Sequence, residues 1–172
     1  MVVLVTGANG QLGQAIQSIS GKYPDSSQYS EQAQQIDFVF CSSSELDITN
    51  LENCQAVFST YQPHFCINAA AYTAVDKAES EPAKAFNINA NGAENLAITS
   101  KQHNTILIHI STDYVYSNSI PFASENDVPV HHNSWYGYTK LLSDGLIQLR
   151  SEDYLLIRCS HKPKPFEYNN AW

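Results

Sequence analysis

The chain has 172 residues, 43% of them hydrophobic and 15% charged, with a formal net charge of -8. One domain with a buried core is expected at that length, and the apolar content excludes disorder. The acidic balance removes the electrostatic footprint that phosphate-backbone binding needs, so nucleic acid is not an expected partner. With no apolar run near the ~18 residues of a membrane span and no charged segment leading into one, the chain reads as cytoplasmic, with no membrane partner. Cys41, Cys54, Cys66 and Cys159 stand too far apart for a CxxC motif and read as four reduced core thiols.

Val2-Val3-Leu4-Val5 is a β-branched run that predicts the first strand, and after a glycine-rich turn Leu12, Ala15, Ile16 and Ile19 recur at helical spacing. Ser20 to Gln35 reads as a polar surface loop, and Phe38 to Cys41 as the second strand. Asp47 or Thr49 is placed to cap a helix carrying Leu51, Cys54, Val57, Phe58 and Tyr61, which Pro63 stops. Phe65-Cys66-Ile67 is the third strand. From Glu79 to about His103 the positions Ala85, Phe86, Ile88, Ala93, Leu96 and Ala97 predict one long helix, with Pro82 tolerated near its start. Thr105 to Ile110 is the fourth strand and Pro121 to Asn133 a loop. Tyr136 to Leu149 is a helix with Leu141, Leu142, Gly145, Leu146 and Leu149 along one side, and Tyr154 to Ile157 is the fifth strand. Strands that read as buried on both faces, alternating with helices, predict a doubly wound parallel α/β sheet of the Rossmann type. Residues 1–160 form one such domain. Residues 161–172, with Pro163 and Pro165, read as an irregular tail. Adjacent His131 and His132 do not make a tetrahedral metal set, so no metal is expected.

Gly7-Ala8-Asn9-Gly10-Gln11-Leu12-Gly13 spells G-x-x-G-x-x-G between a strand and a helix. A phosphate cradle needs glycine where the backbone turns, where it approaches a diphosphate, and where helix packs on strand, and the helix start adds amides and positive dipole. Chance spacing gives about 0.01 such matches in a chain of this composition. An acidic residue ending the second strand would hold an adenosine ribose diol, whereas this chain has Cys41-Ser42-Ser43-Ser44. NAD and NADP both stay open, and hydroxyls with no repelling carboxylate lean to NADP. Asp47 is open between a coenzyme role and a helix cap.

Tyr136 and Lys140 are four apart and share a helix face, a spacing that chance alone gives about 0.4 times. Hydride acceptance by a carbonyl needs a proton donor, and a nearby ammonium can lower a phenol's pKa by ~1–3 units. Ser111-Thr112, ending the fourth strand, offers a hydroxyl to the same carbonyl.

The opening T-G-x-x-G-x-x-G resembles the extended short-chain dehydrogenase/reductase superfamily. Asn68-Ala69-Ala70-Ala71-Tyr72-Thr73-Ala74-Val75-Asp76-Lys77-Ala78-Glu79, then Ser111-Thr112-Asp113-Tyr114-Val115-Tyr116, then Tyr136 and Lys140, resemble the dTDP-4-dehydrorhamnose reductase family from Met1 to about Ser160. The resemblance implies a catalytic set of Thr112, Tyr136 and Lys140, with Tyr136 protonating the C4 oxygen of a nucleotide sugar as NADPH or NADH gives hydride. The glycine turn itself supplies Gly7 and Gly13 to the coenzyme set, and the resemblance further implies coenzyme contacts at Gly10, Gln11, Leu12, Asp47, Ile48, Ala70, Ala71, Tyr72 and Lys140. Thr73, Val75, Thr112, Asp113 and Tyr114 would lie near the sugar. Related dehydratases carry Asp-Glu after the threonine, so Asp113-Tyr114 disfavours dehydration. In the family a Ser-Trp-Val-Tyr-like segment and a substrate-binding part, with acidic residues used in dimerisation and magnesium binding, follow the fifth strand. Here Ser160 leads into His161-Lys162-Pro163, which implies that this C-terminal part is lacking and leaves a homodimer open. Beside the reductase stand two other readings: a coenzyme-binding regulatory homologue without turnover, and an inactive fragment.

Overall fold

The structure, a computed structural model, describes residues 1–21, 35–116, 124, 127 and 134–159. Its five strands are β1 (Val2–Thr6), β2 (Asp37–Cys41), β3 (Phe65–Asn68), β4 (Ile106–Thr112) and β5 (Tyr154–Cys159), all parallel, in the order β2-β1-β3-β4-β5. The chain steps outward from β1 to β2 and then back past β1 to β3, so the winding reverses. Right-handed crossovers then put α1 (Gln11–Ser20) on one face and α2 (Leu51–Tyr61), with the helices after it, on the other. That is the doubly wound Rossmann-type arrangement, with its switch point between the carboxyl ends of β1 and β3.

The core lies between the sheet and the second helical layer. Leu4, Cys66 and Leu107 are register partners on β1, β3 and β4, and they pack with Phe58, Leu96 and Ile147 from the helices. Cys41, Cys54 and Cys66 are buried free thiols, and burial pushes the Cys54 thiol up to about 12, which makes it unreactive. Cys159 is exposed, so the reading of four core thiols is corrected to three. It ends the edge strand β5, where Leu155, Ile157 and Cys159 alternate away from the helical layer, so β5 is not buried on both faces as expected.

Four of the expected helices depart from expectation. The long helix is three helices and a π turn: α3 (Val75–Ser80), α4 (Pro82–Phe86), the turn Asn87–Asn91, and α5 (Gly92–His103). Glu81, forced out of the helical region by Pro82, sits at φ -120 and ψ 49 and makes the break. Asn50, rather than Asp47 or Thr49, caps α2, its side chain accepting from the Asn53 amide. On α6 (Trp135–Arg150) the expected leucine side is not the buried one, and Leu149 is 80% exposed. The inward residues are instead Gly137, Thr139, Lys140, Ser143, Asp144 and Ile147, a largely polar stripe that meets polar groups at the ends of the strands. On α1 the periodicity gives the helix, but only Gly13 is buried.

Residues 22–34 of the expected first loop, most of the loop from Pro121 to Asn133 including His131 and His132, and the tail at 161–172 lie outside the described residues. Among the described residues no helix is long and apolar enough to cross a membrane.

Gly7 stands at φ +67, and a Cβ there would come within 2.8 Å of the Ala70 backbone, whereas a Cβ on Gly145 meets open space. Urea unfolding is expected to show Gly7→Ala destabilised by about 2 kcal/mol or more, and Gly145→Ala stabilised by about 0.5–1 kcal/mol as a helix-interior glycine is removed.

Candidate functional site

The β1–α1 turn places each glycine where its missing Cβ matters. Gly7 allows the positive φ and the close approach to β3, and the Gly10 amide closes the turn on the Gly7 carbonyl at 2.9 Å. A Cβ on Gly13 would overlap the Gly7 carbonyl oxygen and Ala8, so α1 can pack on the turn only through glycine. A crevice of about 290 Å³ opens over this turn, at the switch point between β1 and β3. Its walls include Gly7, Gly10, Asp47, Ile48, Ala70 and Ala71, six positions of the coenzyme set expected from the sequence. Gln11 and Leu12 sit exposed on the first turn of α1, beyond that lining, and Gly13 is buried. Ser43, one of the hydroxyls at the end of β2, also lines the crevice, as do Asn9, Leu46, Ala69 and Ile88, which were not singled out. Their only sequence signal is proximity to residues that were.

Local bonds hold the crevice open. The Asp47 carboxylate accepts from the Thr49 amide and hydroxyl at 2.9 and 2.7 Å and folds the turn ahead of α2. Ile48 is buried against Gly92, where a Cβ would lie 2.7 Å from its side chain. Contrary to expectation a carboxylate does stand at the end of β2: Glu45 accepts from the Ser42 amide at 2.8 Å and hydroxyl at 2.7 Å, outside the crevice lining. On the opposite wall, buried Asn89 accepts from the Tyr72 amide at 2.8 Å and donates to the Tyr72 carbonyl at 3.1 Å and the Thr139 hydroxyl at 3.0 Å. Sequence reasoning missed Asn89. A lone amide within the apolar run Phe86, Ile88, Ala90, Ala93 was the available signal. Tyr72 itself turns outward, its hydroxyl donating to Glu81 at 3.1 Å, and is not in the crevice lining.

A second cluster stands at the carboxyl end of β4. Ser134 caps α6, the Trp135 amide donates to Glu79 at 2.7 Å, and the Trp135 indole donates to the Pro82 carbonyl at 2.8 Å, which fixes where α6 begins. Tyr136 thereby comes beside Thr112 and edge-on to Tyr114 at 5.6 Å between ring centroids. Asp113 follows Thr112 and takes its hydroxyl at 3.2 Å. Burial pushes the Tyr136 phenol above its ordinary value, and the neighbouring Thr112 hydroxyl pulls against that shift. Lys140 is 2% exposed, and its Nζ turns inward to donate to the Ile110 carbonyl at 2.8 Å and to meet His109 Nε2 at 3.0 Å. Burial pushes its amine down to about 8, with Asp144 acting the other way. The expected lowering of the Tyr136 phenol by Lys140 is therefore not what stands here: the phenol is raised, and the lysine is held by β4. Thr73 is exposed just before α3 and Val75 begins it, on a helix that packs against α6. Among the described residues no group of His, Cys, Asp and Glu could hold a metal ion.

The family model described as RmlD substrate binding domain matches residues 1–161. A dTDP-4-dehydrorhamnose reductase of Aggregatibacter actinomycetemcomitans is 34% identical over 158 residues, covering 92% of this chain and 50% of the relative. The spore coat polysaccharide biosynthesis protein SpsK of Bacillus subtilis is 33% identical over 160 residues, covering 92% of this chain and 52% of its own. The crystal structure of dTDP-4-dehydrorhamnose reductase from Bacillus anthracis in complex with NADP superposes with a TM-score of 0.80 at 35% identity, over 92% of this chain and 53% of that one. The chain spans about half the length of the curated relatives it matches. With this sheet order, this glycine turn and these matches, the chain belongs to the dTDP-4-dehydrorhamnose reductase family.

Proposed function

We propose that this chain carries the coenzyme-binding and catalytic part of a reductase that converts the C4 keto group of a dTDP-4-dehydro-6-deoxy sugar to the alcohol, as dTDP-L-rhamnose synthesis requires. The observation that carries the reading is one sheet end holding both a crevice walled by glycine backbone and the Thr112–Tyr136 pair. The crevice fits a dinucleotide, because side chains at Gly7 and Gly13 would collide with the backbone around it. Residues 1–160 are read as the coenzyme-binding unit.

Gly7, Gly10 and Gly13 let backbone approach a diphosphate, and the first amides of α1, at Gln11 and Leu12, face it with the helix dipole behind them. Asp47 and Ile48 bound the adenosine side and Ala70 and Ala71 the opposite wall, with Tyr72 reaching the coenzyme through its backbone at the rim. Lys140 serves the nicotinamide ribose. When bound, NADPH or NADH supplies the hydride, and the relative solved with NADP supports the phosphorylated form. Tyr136 holds a proton at its phenol oxygen for the C4 oxygen, and a phenol kept above its ordinary value stays protonated at neutral pH, as a donor must. The Thr112 hydroxyl positions that oxygen, while Thr73, Val75, Asp113 and Tyr114 border the sugar.

Mixing the chain with NADPH and dTDP-4-dehydro-L-rhamnose is expected to give substrate-dependent loss of NADPH absorbance. Tyr136→Phe should cut that rate at least about 100-fold and leave NADPH affinity within about twofold. Unchanged turnover in the variant would refute the donor role, and coenzyme binding without turnover in the native chain would leave a coenzyme-binding module. Lys140 yields a pH prediction. The unfolded chain keeps a proton on it up to about 10.5, the folded chain only up to about 8, so burial of the ammonium lowers stability below pH 8 and the loss is recovered between 8 and 10.5. Lys140→Met is expected to flatten that rise, to gain about 1–2 kcal/mol at pH 7 after the loss of the Ile110 and His109 partners, and to weaken NADPH binding, as thermal unfolding and fluorescence titration would read.

A further inference from the structure

Thr6, Asn68 and His109 are register partners on the adjacent strands β1, β3 and β4, and all three are at most 2% exposed. A hydrophobic residue at each would be the ordinary choice for a parallel sheet's covered face. Instead they form a row of hydrogen bonds across the sheet. The Thr6 hydroxyl donates to Asn68 Oδ1 at 2.7 Å, Asn68 Nδ2 meets His109 Nδ1 at 3.0 Å, and His109 Nε2 meets both Ser143 Oγ at 3.1 Å and Lys140 Nζ at 3.0 Å. The row begins at the crevice, where the Ala70 amide donates to Thr6 Oγ1 and to Asn68 Oδ1, each at 3.2 Å.

Counting protons along the row fixes its direction. Asn68 Oδ1 receives two donors, so its amide nitrogen is the end facing His109, and an amide nitrogen only donates. Nδ1 must then accept, which leaves the imidazole proton on Nε2. Ser143 donates its own hydroxyl proton to the Lys140 carbonyl at 2.7 Å, so its oxygen can receive from Nε2 but sends no proton back. Lys140 Nζ therefore faces an N–H. An ammonium there opposes two donors, whereas an amine accepts the Nε2 proton and still donates to the Ile110 carbonyl. The other ionisable groups acting on this pair are Asp144 on α6 and Cys159 on β5, with Arg158 of β5 paired to Asp144 at 3.0 Å. Asp144 favours the ammonium; His109 opposes it.

We infer that His109 is a positioning residue for Lys140: Asn68 locks it as the Nε2–H tautomer, and in that form it favours the lysine's amine state and ties it to β4. The inference rests on Lys140 belonging to the proposed reductase site, but the proton arrangement is testable without coenzyme or turnover. Asn68→Asp would set a carboxylate against Nδ1, draw the imidazole proton there, and leave an Nε2 lone pair that welcomes an ammonium. His109→Gln keeps the pattern, since its amide oxygen can accept from Asn68 and its nitrogen can donate to Lys140.

Two-bond ¹⁵N–¹H spectra of the full chain labelled at histidine, with the Lys140 Cε resonance followed through pH, test this directly. The expected results are a neutral Nε2–H imidazole at His109 through pH 6–9, a Lys140 midpoint moved up by about one unit or more in Asn68→Asp together with the Nδ1–H signature, and a midpoint within about half a unit of native in His109→Gln. A native His109 found as the Nδ1–H tautomer or the imidazolium at pH 7 overturns the inference, whether or not Asn68→Asp folds. So does a Lys140 midpoint displaced by His109→Gln as far as by Asn68→Asp. If these spectra come out as expected while NADPH fails to bind, the coenzyme reading fails and the proton arrangement stands.

Discussion

Everything at the carboxyl end of this sheet depends on how closely β1 approaches β3. The backbone leaves β1 at Gly7 with a positive φ, and the space a side chain would occupy is already filled by the main chain of Ala69 and Ala70. That contact is available to glycine alone, because a Cβ at 2.8 Å from backbone atoms cannot be relieved by rotating a flexible side chain. It sets the floor of the crevice, aims the start of α1 at it, and through Gly13 lets the helix lie directly on the turn. The reversal of winding at this point is what leaves the crevice uncovered by a crossover connection.

A second constraint is the polar layer one step inside that end. Thr6, Asn68 and His109 cross three strands where apolar side chains would give cheaper packing, and α6 answers with Lys140, Ser143 and Asp144 on its inward face. Buried polar groups are tolerated when they find partners, and the short bonds along this row supply them to Thr6, Asn68, His109, Ser143 and Lys140, while Asp144 is held by Arg158 through Oδ2 alone. The cost falls on Lys140, whose amine is pushed down by burial. A fold optimised for stability alone would not keep it there, whereas the proposed reductase site calls for a lysine one helical turn from Tyr136.

The parts legible in the sequence are those where residue type acts locally. Glycine spacing between a β-branched run and a periodic segment located the turn, and all five strands fell where apolar runs predicted them. Apolar periodicity failed on α6, since it assumes that the buried side is the hydrophobic one and here polar side chains meet polar strand ends. It also ran through Pro82 and the π turn, whose effect is to aim Asn89 at Tyr72, 17 positions away. Asn68, His109 and Asn89 acquire meaning only through partners on other elements, and single-chain pattern gives no sign of such pairing. Glu45 illustrates the same limit at short range: three residues beyond Ser42, it folds back onto the strand end that looked free of carboxylates.

The proposed reduction depends above all on the crevice over the Gly7 turn receiving a nicotinamide dinucleotide. Titrating ¹⁵N-labelled chain with NADPH tests it most directly, because every amide reports its own position. Saturable shifts are expected to concentrate at residues 7–12, 47–48 and 69–72. Saturable shifts centred elsewhere, such as the cleft beside Tyr61 and Phe40 on the far side of β2, or no shifts at millimolar NADPH, would contradict it.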